Sequence, residues 1–238
     1  MRSFLNYFCS IERLKRRRER YAKQHLVPDL LQEVLTTPAL EGKAVSSSFD
    51  YIVLDIETTG LDSEADSILS LGWVKVTNHK VDLSTCRHFY INNCTQVRPE
   101  TAIINHITPQ MLASGVSLDE AMAQLFTTSR GTILVAHGCI SEADFMARYL
   151  KVTFNVEDLP IVWLDTMNIE KSLSKAVSHD DDVDVTLSGT RQRYGLPEYN
   201  GHNALADAVA TAELFLVQQS RLSSHQPVCL RTLHRLSQ

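Results

Sequence analysis

Asp55 and Glu57 stand two positions apart at the end of the short run Tyr51-Ile52-Val53-Leu54, which is apolar and rich in β formers. Side chains two apart on a strand share a face, so both carboxylates address one small volume. Acids held that close raise each other's pKa unless a cation sits between them. All-oxygen ligands favour a hard divalent ion, Mg²⁺ or Mn²⁺, over zinc. The alternative is a strand end whose acids merely cap a turn. Thr58-Thr59-Gly60 follows directly, offering hydroxyls, backbone N–H groups and a residue tolerant of positive φ.

Two further segments carry chemistry. In His202-Asn203-Ala204-Leu205-Ala206-Asp207 the aspartate follows the histidine by five positions, so the two do not stack on one helical face. His202 belongs in the loop before a helix and Asp207 on its first or second turn, among Ala204, Ala210 and Thr211, small enough for close approach to a sheet. An aspartate on the inward side of an apolar helix is costly unless paired or metal-bound. The third segment, Val135-Ala136-His137-Gly138-Cys139-Ile140-Ser141-Glu142-Ala143-Asp144, supplies acids just after another strand. Taken alone, Glu142 or Asp144 reads as helix-start charge complementing the macrodipole.

These residues need elements to hold them. Ile68 to Val76 and Arg87 to Ile91 read as second and third strands, close enough in sequence to pair with the first as an antiparallel meander, with Asn78 and His79 at the turn. Ser117 followed by Glu120 is a capping box opening a helix to Thr128. Thr132 to Ala136 reads as a buried strand, Glu142 to Leu150 as a helix and Ile161 to Leu164 as a strand. Asn203 caps a last helix, Ala204 to Gln219, with Leu205, Val209, Ala212 and Leu216 as its apolar stripe. The expected fold is α/β: a mixed five-stranded sheet, three antiparallel strands and then parallel ones, with helices on both faces. In such sheets reactive groups gather at the carboxyl ends of strands.

Composition agrees with an enzyme of one main domain. The chain has 238 residues, 44 % hydrophobic and 21 % charged, with nine Gly and seven Pro, which excludes collagen-like and largely disordered classes. No run approaches the roughly 18 apolar residues of a membrane span. Five scattered cysteines, never spaced C-x-x-C, argue against a disulfide framework and for a reducing, cytoplasmic compartment. Residues 1–25 hold eight Lys or Arg against two Glu, a net +6, leaving −11 on the remainder. A basic arm on an acidic body suits a protein whose acids hold cations and whose arm meets a polyanion. A solvated surface helix is the simpler reading of that arm, and a lipid contact or a transit peptide are others. The boundaries read as an arm and linker over 1–48, a main domain over 49–222 and a tail over 223–238.

Asp55-Ile56-Glu57-Thr58-Thr59-Gly60-Leu61, the Val135-Ala136-His137 block and His202-x4-Asp207 resemble, in order, the three motifs of DnaQ-like 3′→5′ exonucleases. These form the DEDDh branch of the RNase H-like superfamily, related to the proofreading ε subunit of DNA polymerase III. The resemblance covers about residues 49–220. It implies an RNase H-like fold and two Mg²⁺ or Mn²⁺ ions held by Asp55, Glu57 and Asp207. Counting five from His137, and with Phe145 three residues beyond, it assigns Glu142 rather than Asp144 as the fourth acid, where the family carries Asp. His202 is implied as the base that takes a proton from the attacking water, a task suited to an imidazole at neutral pH. Thr58, Thr59, Gly60, Leu61 and His137 are implied substrate contacts. So are Glu100 and Asn105, in a segment resembling the family's His-Gly-Ile-Thr. The expected activity is hydrolysis at nucleic-acid 3′ ends, of DNA, to nucleoside 5′-monophosphates, the partner being a single-stranded DNA or RNA 3′ end. The alternatives are an oligoribonuclease-like RNA trimming enzyme and a catalytically weak polymerase-associated binding subunit. A nucleic-acid 3′ end and a DNA polymerase subunit are the candidate partners.

Overall fold

The structure, a computed structural model, describes residues 10–92, 106–178 and 183–238. Its centre is a five-stranded sheet of order β3-β2-β1-β4-β5, formed by β1 (Asp50–Thr58), β2 (Ile68–Thr77), β3 (Lys80–Tyr90), β4 (Thr132–Ala136) and β5 (Trp163–Asp165). β1 pairs antiparallel with β2, and β2 with β3. On its other side β1 pairs parallel with β4, and β4 with β5. This is the mixed sheet expected from the alternation of short apolar runs.

β3 begins seven residues earlier than its apolar pattern suggests. Asn78 and His79 both adopt positive φ, closing a two-residue hairpin loop of the kind whose twist matches the strands it joins. The first half of β3, with Lys80, Asp82 and Ser84, is an edge and reads as polar loop; charged residues there discourage pairing with other chains. β5 lies two residues later than Ile161 and is only three residues long, ending on the buried Asp165.

Nine helices are described: α1 (Ser10–Gln24), α2 (Asp29–Thr36), α3 (Pro109–Ala113), α4 (Leu118–Thr128), α5 (Ile140–Phe154), α6 (Thr166–Ser178), α7 (Leu187–Arg193), α8 (Ala204–Leu222) and α9 (Leu230–Leu236). Ser117 accepts from the Glu120 N–H as the cap of α4. α5 runs past Leu150 until Asn155 turns left-handed and closes it.

Strict alternation on β1 builds two cores. Ile52 and Leu54 face α2, α4 and α5, burying Phe126, Phe145 and Leu150. Tyr51 and Val53 face α8 and α9, burying Ala212, Phe215 and Leu233 together with Ile11 of α1. Asp55 and Glu57 continue the second set. The buried face of α8 is rotated from the expected stripe: Leu205, Val209 and Leu216 are half-buried, while Ala204, Ala208, Ala212 and Phe215 are buried. Small residues make the contact because the helix lies unusually close to the sheet.

The basic helix α1 is not wholly solvated. The Arg18 guanidinium is buried and donates to the carbonyls of Val34, Leu35, Thr37 and Pro38, satisfying the free C-terminal end of α2. Burial lowers its pKa to about 10. Residues 223–238 contain α9, whose Leu230 and Leu233 are fully buried.

Candidate active site

Asp55, Glu57 and Asp207 each offer a carboxylate oxygen, and these oxygens lie within 4.8 Å of one another. The first two arrive by the strand period. The third depends on a glycine. In the β1–β2 register Gly72 sits opposite Asp55, and a Cβ on Gly72 would collide with the backbone of Ala204 and Leu205. The bare glycine lets the start of α8 rest on the sheet, one turn before Asp207. Asn203 then fixes the entry. Its Oδ1 accepts from the Ala206 N–H at 3.1 Å, and its own N–H donates to Asp207 Oδ2 at 3.1 Å. His202, just outside this cap, is exposed with φ of 61°, a left-handed conformation uncommon for a residue bearing Cβ. It lines a cleft of about 540 Å³ with Asp55, Glu57, His137, Tyr199 and Asp207.

Glu142 comes from the opposite face of the sheet, in the first turn of α5. It is 6 % exposed, and its Oε2 is buried without a hydrogen-bond partner. Asp144 points to solvent, so Glu142 is the acid that faces the cluster. Burial pushes its carboxyl up to about 8, opposed by its own backbone N–H and reinforced by Asp165 and Glu57. Glu57 rises to about 7 through burial and Asp207. Asp55 is held well above the ordinary carboxylate range by burial first, then by Glu142, Asp207 and Glu57. Three acids with raised affinity for protons, and an oxygen with nothing to bind, form a site that lacks positive charge. Their chemistry fits hard divalent cations.

The loop after β1 divides its expected contacts. Thr59 is buried, its hydroxyl donating to Asp66 Oδ1 at 2.9 Å and accepting from the Ser67 N–H at 3.0 Å. Gly60 packs on the same Asp66 carboxylate, where a Cβ would collide. Thr58 donates to the Gly60 carbonyl at 2.6 Å, and Leu61 stands 88 % exposed beside the cleft loop. Thr59 and Gly60 therefore shape the loop, leaving Thr58 and Leu61 as its accessible side chains. His137 lines the cleft, yet both ring nitrogens bond within the protein: Nε2 meets the Val185 carbonyl at 2.9 Å and Nδ1 meets Thr166 Oγ1 at 2.8 Å. A carbonyl only accepts, so Nε2 carries the proton, and burial lowers the ring's pKa, keeping it neutral. Glu100 and Asn105 lie outside the described residues.

Sequence reasoning missed two contributors. Asp165, at the end of β5, accepts from the N–H groups of Gly138, Cys139 and Met167 at 2.8–3.2 Å. It thereby holds the β4–α5 turn that presents Glu142. Its sequence signal was an acid at a strand end just before a helix. Tyr199 lines the cleft but is separated from Asp207 by a loop, and no spacing rule connects them.

Comparison with solved structures places this architecture. E. coli Exonuclease I in complex with a dT13 oligonucleotide superposes with a TM-score of 0.62 at 16 % identity, covering 74 % of this chain and 43 % of that one. Exonuclease X in complex with 5′ overhanging duplex DNA gives 0.56 at 17 % identity, covering 77 % and 99 %. The fold is thus the DnaQ-like, RNase H-like one of exonuclease structures. Residues 52–215 match the RNase_T family, Exonuclease, and the chain belongs to that family. Among curated relatives, the PolC-type DNA polymerase III of Thermotoga petrophila is 29 % identical over 182 residues, and the 3′-5′ exonuclease DinG of Staphylococcus haemolyticus is 26 % identical over 190. These alignments cover 75 % and 79 % of this chain but only 13 % and 20 % of the relatives. The match is to one part of much longer proteins. No helix among the described residues is long and apolar enough to cross a membrane.

Proposed function

We propose that this chain is a metal-dependent 3′→5′ exonuclease that hydrolyses the terminal phosphodiester of single-stranded DNA and releases nucleoside 5′-monophosphates. The observation that carries the reading is the convergence of Asp55, Glu57 and Asp207 within 4.8 Å, beside a buried Glu142 oxygen that has no partner. Such a cluster is electrostatically unfavourable unless cations join it, and repels a phosphate without them.

Asp55, Glu57 and Asp207 hold the cations, and Glu142 supports them from the α5 side. Two bound Mg²⁺ or Mn²⁺ ions supply Lewis acidity at the phosphodiester and lower the pKa of an attacking water. An imidazole nitrogen of exposed His202 takes the proton of that water and passes it to solvent. Leu61 offers an apolar surface to the terminal base, and Thr58 a backbone contact to the last nucleotide. His137 braces the cleft wall through Val185 and Thr166 rather than lending a free ring nitrogen. DNA is favoured because the relatives are a DNA polymerase and DinG and the structural neighbours carry DNA. A DNA polymerase subunit is the partner class those relatives suggest. A reducing, cytoplasmic setting suits Cys86, Cys139 and Cys229, which are free.

Parallel assays on DNA and RNA oligomers of one sequence, each with Mg²⁺ and with EDTA, test the substrate. Faster Mg²⁺-dependent shortening of DNA supports the reading. Preference for RNA would replace it by an RNA-trimming role, and inertness on both by a binding role.

A further inference from the structure

Arg13, Arg17 and Arg20 recur at i, i+4 and i+7 along α1, one face of the helix, and all three are exposed. None has a part in the hydrolysis just described. The opposite face fastens α1 to the protein: Ile11 and Tyr21 are buried in the two cores, and Arg18 is pinned to the carbonyls of Val34 and Leu35. The arginine stripe is therefore a fixed part of the main body rather than a trailing arm. Glu12 and Glu19 stand about a third of a turn away from it. Arg17 Nη2 is steadied by the Asp158 carbonyl at 3.2 Å.

Arg13, Leu14 and Arg17 line a groove of about 510 Å³ together with Ile161 and Trp163 of the β5 edge. The indole of Trp163 is half-buried there. Guanidinium groups beside an aromatic face are the elements of single-strand recognition, the cations taking backbone phosphates and the ring taking a base of any identity. Residues 1–25 carry a net +6 against −11 on the remainder, so a polyanion is drawn to this part of the protein. An anionic membrane would need an outward apolar face on the helix, and that face of α1 is already occupied by the cores. The groove shares no lining residue with the acid cleft. The register Ile52–Leu134–Trp163 across β1, β4 and β5 puts Trp163 three residues before Asp55 and two strands to its side. At about 3.3 Å per residue and about 4.8 Å per strand, their Cα atoms are roughly 14 Å apart, a span that a few nucleotides cover.

We propose that the groove between α1 and the β5 edge is a second contact for single-stranded nucleic acid, holding the strand whose 3′ end lies in the cleft. The inference rests on the exonuclease reading of that cleft. Its consequence is a preference for substrates long enough to reach both places, because the second contact becomes intramolecular once the first is made.

The test compares the full wild-type chain with the double variant Arg17→Gln, Arg20→Gln. Both substituted residues are exposed on a helix, so the melting temperature should match the wild type. A fifteen-nucleotide oligothymidylate is titrated in EDTA at several salt concentrations, and kinetics in Mg²⁺ are measured on it and on a trinucleotide. The double variant should bind the long oligomer roughly tenfold more weakly, with the slope of log affinity against log salt reduced by about 1.4, or about 0.7 per lost phosphate contact. Its KM for the long oligomer should rise with kcat unchanged, and both constants should stay at wild-type values for the trinucleotide. The oligomer should also quench tryptophan emission in the wild type; Trp73 is fully buried, so the quenching reports Trp163. Unchanged affinity and salt slope overturn the proposal, and so does an equal rise in KM on both lengths. Loss of binding to phosphatidylserine vesicles, with oligomer affinity intact, replaces it by a membrane contact. A wild type that binds through these arginines but shortens neither oligomer in Mg²⁺ supports the groove and removes the exonuclease reading.

Discussion

Gly72 of β2 lies directly beneath the backbone of Leu205 at the start of α8, at a separation that leaves no room for a methyl group. Because Gly72 is also the register partner of Asp55, this contact sets the distance between the acids of β1 and Asp207. Gly72→Ala would push α8 off the sheet. The expected cost is about 1–3 kcal/mol of stability, typical of overpacking, with a disproportionate loss of Mn²⁺ binding because Asp207 leaves the cluster. Chemical denaturation and Mn²⁺ titration on the same sample check this. A destabilised variant that keeps wild-type Mn²⁺ affinity would show that the contact does not set the site.

Much of that site is legible in the residues themselves. Asp55 and Glu57 announce a shared volume because a strand has a period of two, and Asn203 announces the start of α8 because its side chain suits a cap. Gly72 announces nothing, since its meaning lies in a cross-strand register and in a helix more than 130 residues away. Tyr199 is silent for the same reason: it reaches the cleft that Asp207 also lines through a loop with no fixed period. The stripe on α8 misleads because larger apolar residues outrank alanines in any hydrophobic pattern. Ala204 and Ala208 are buried precursors of a close contact, not fillers of a core. The early half of β3 is hidden because an edge strand is written in polar residues.

The metal-free protein should lose stability as pH rises between 7 and 8. Glu57 and Glu142 titrate at about 7 and 8 in the folded state but near the ordinary carboxylate value of about 4.3 when unfolded. Across that interval the folded chain holds protons that the unfolded chain has released, so stability falls with pH until the folded values are passed. Buried His137 and His234, with lowered values, act in the opposite direction, but their contribution is complete once unfolded imidazole is neutral, near pH 7. Thermal melts in EDTA should therefore fall from pH 7 to 8, and Mg²⁺ should restore more at pH 8 than at pH 6. Melting temperatures that rise over this interval contradict the cluster's electrostatics.

Glu142→Gln separates charge from shape. Removing one buried acid whose Oε2 has no partner should raise the melting temperature of the metal-free protein at pH 8 and flatten its fall between pH 7 and 8. Mg²⁺-dependent turnover should drop at least tenfold, the lower end for an outer partner of a metal site. Turnover equal to the wild type would remove Glu142 from the site.

His202 stands outside the carboxylate cluster, exposed at the cleft rim. His202→Ala should lower kcat by about 10²–10⁴-fold, the usual worth of a general base, and leave Mn²⁺ affinity within error of the wild type. Parallel loss of kcat and Mn²⁺ affinity would make it a ligand instead.

The most direct measurement follows a 5′-labelled single-stranded oligonucleotide incubated with the full chain in Mg²⁺, in EDTA, and with Asp55→Asn. Removal of nucleotides one at a time from the 3′ end in Mg²⁺, abolished by EDTA and by Asp55→Asn, is the predicted result. Shortening that persists in EDTA, or that Asp55→Asn leaves untouched, would contradict a cluster of acids that works by holding divalent cations.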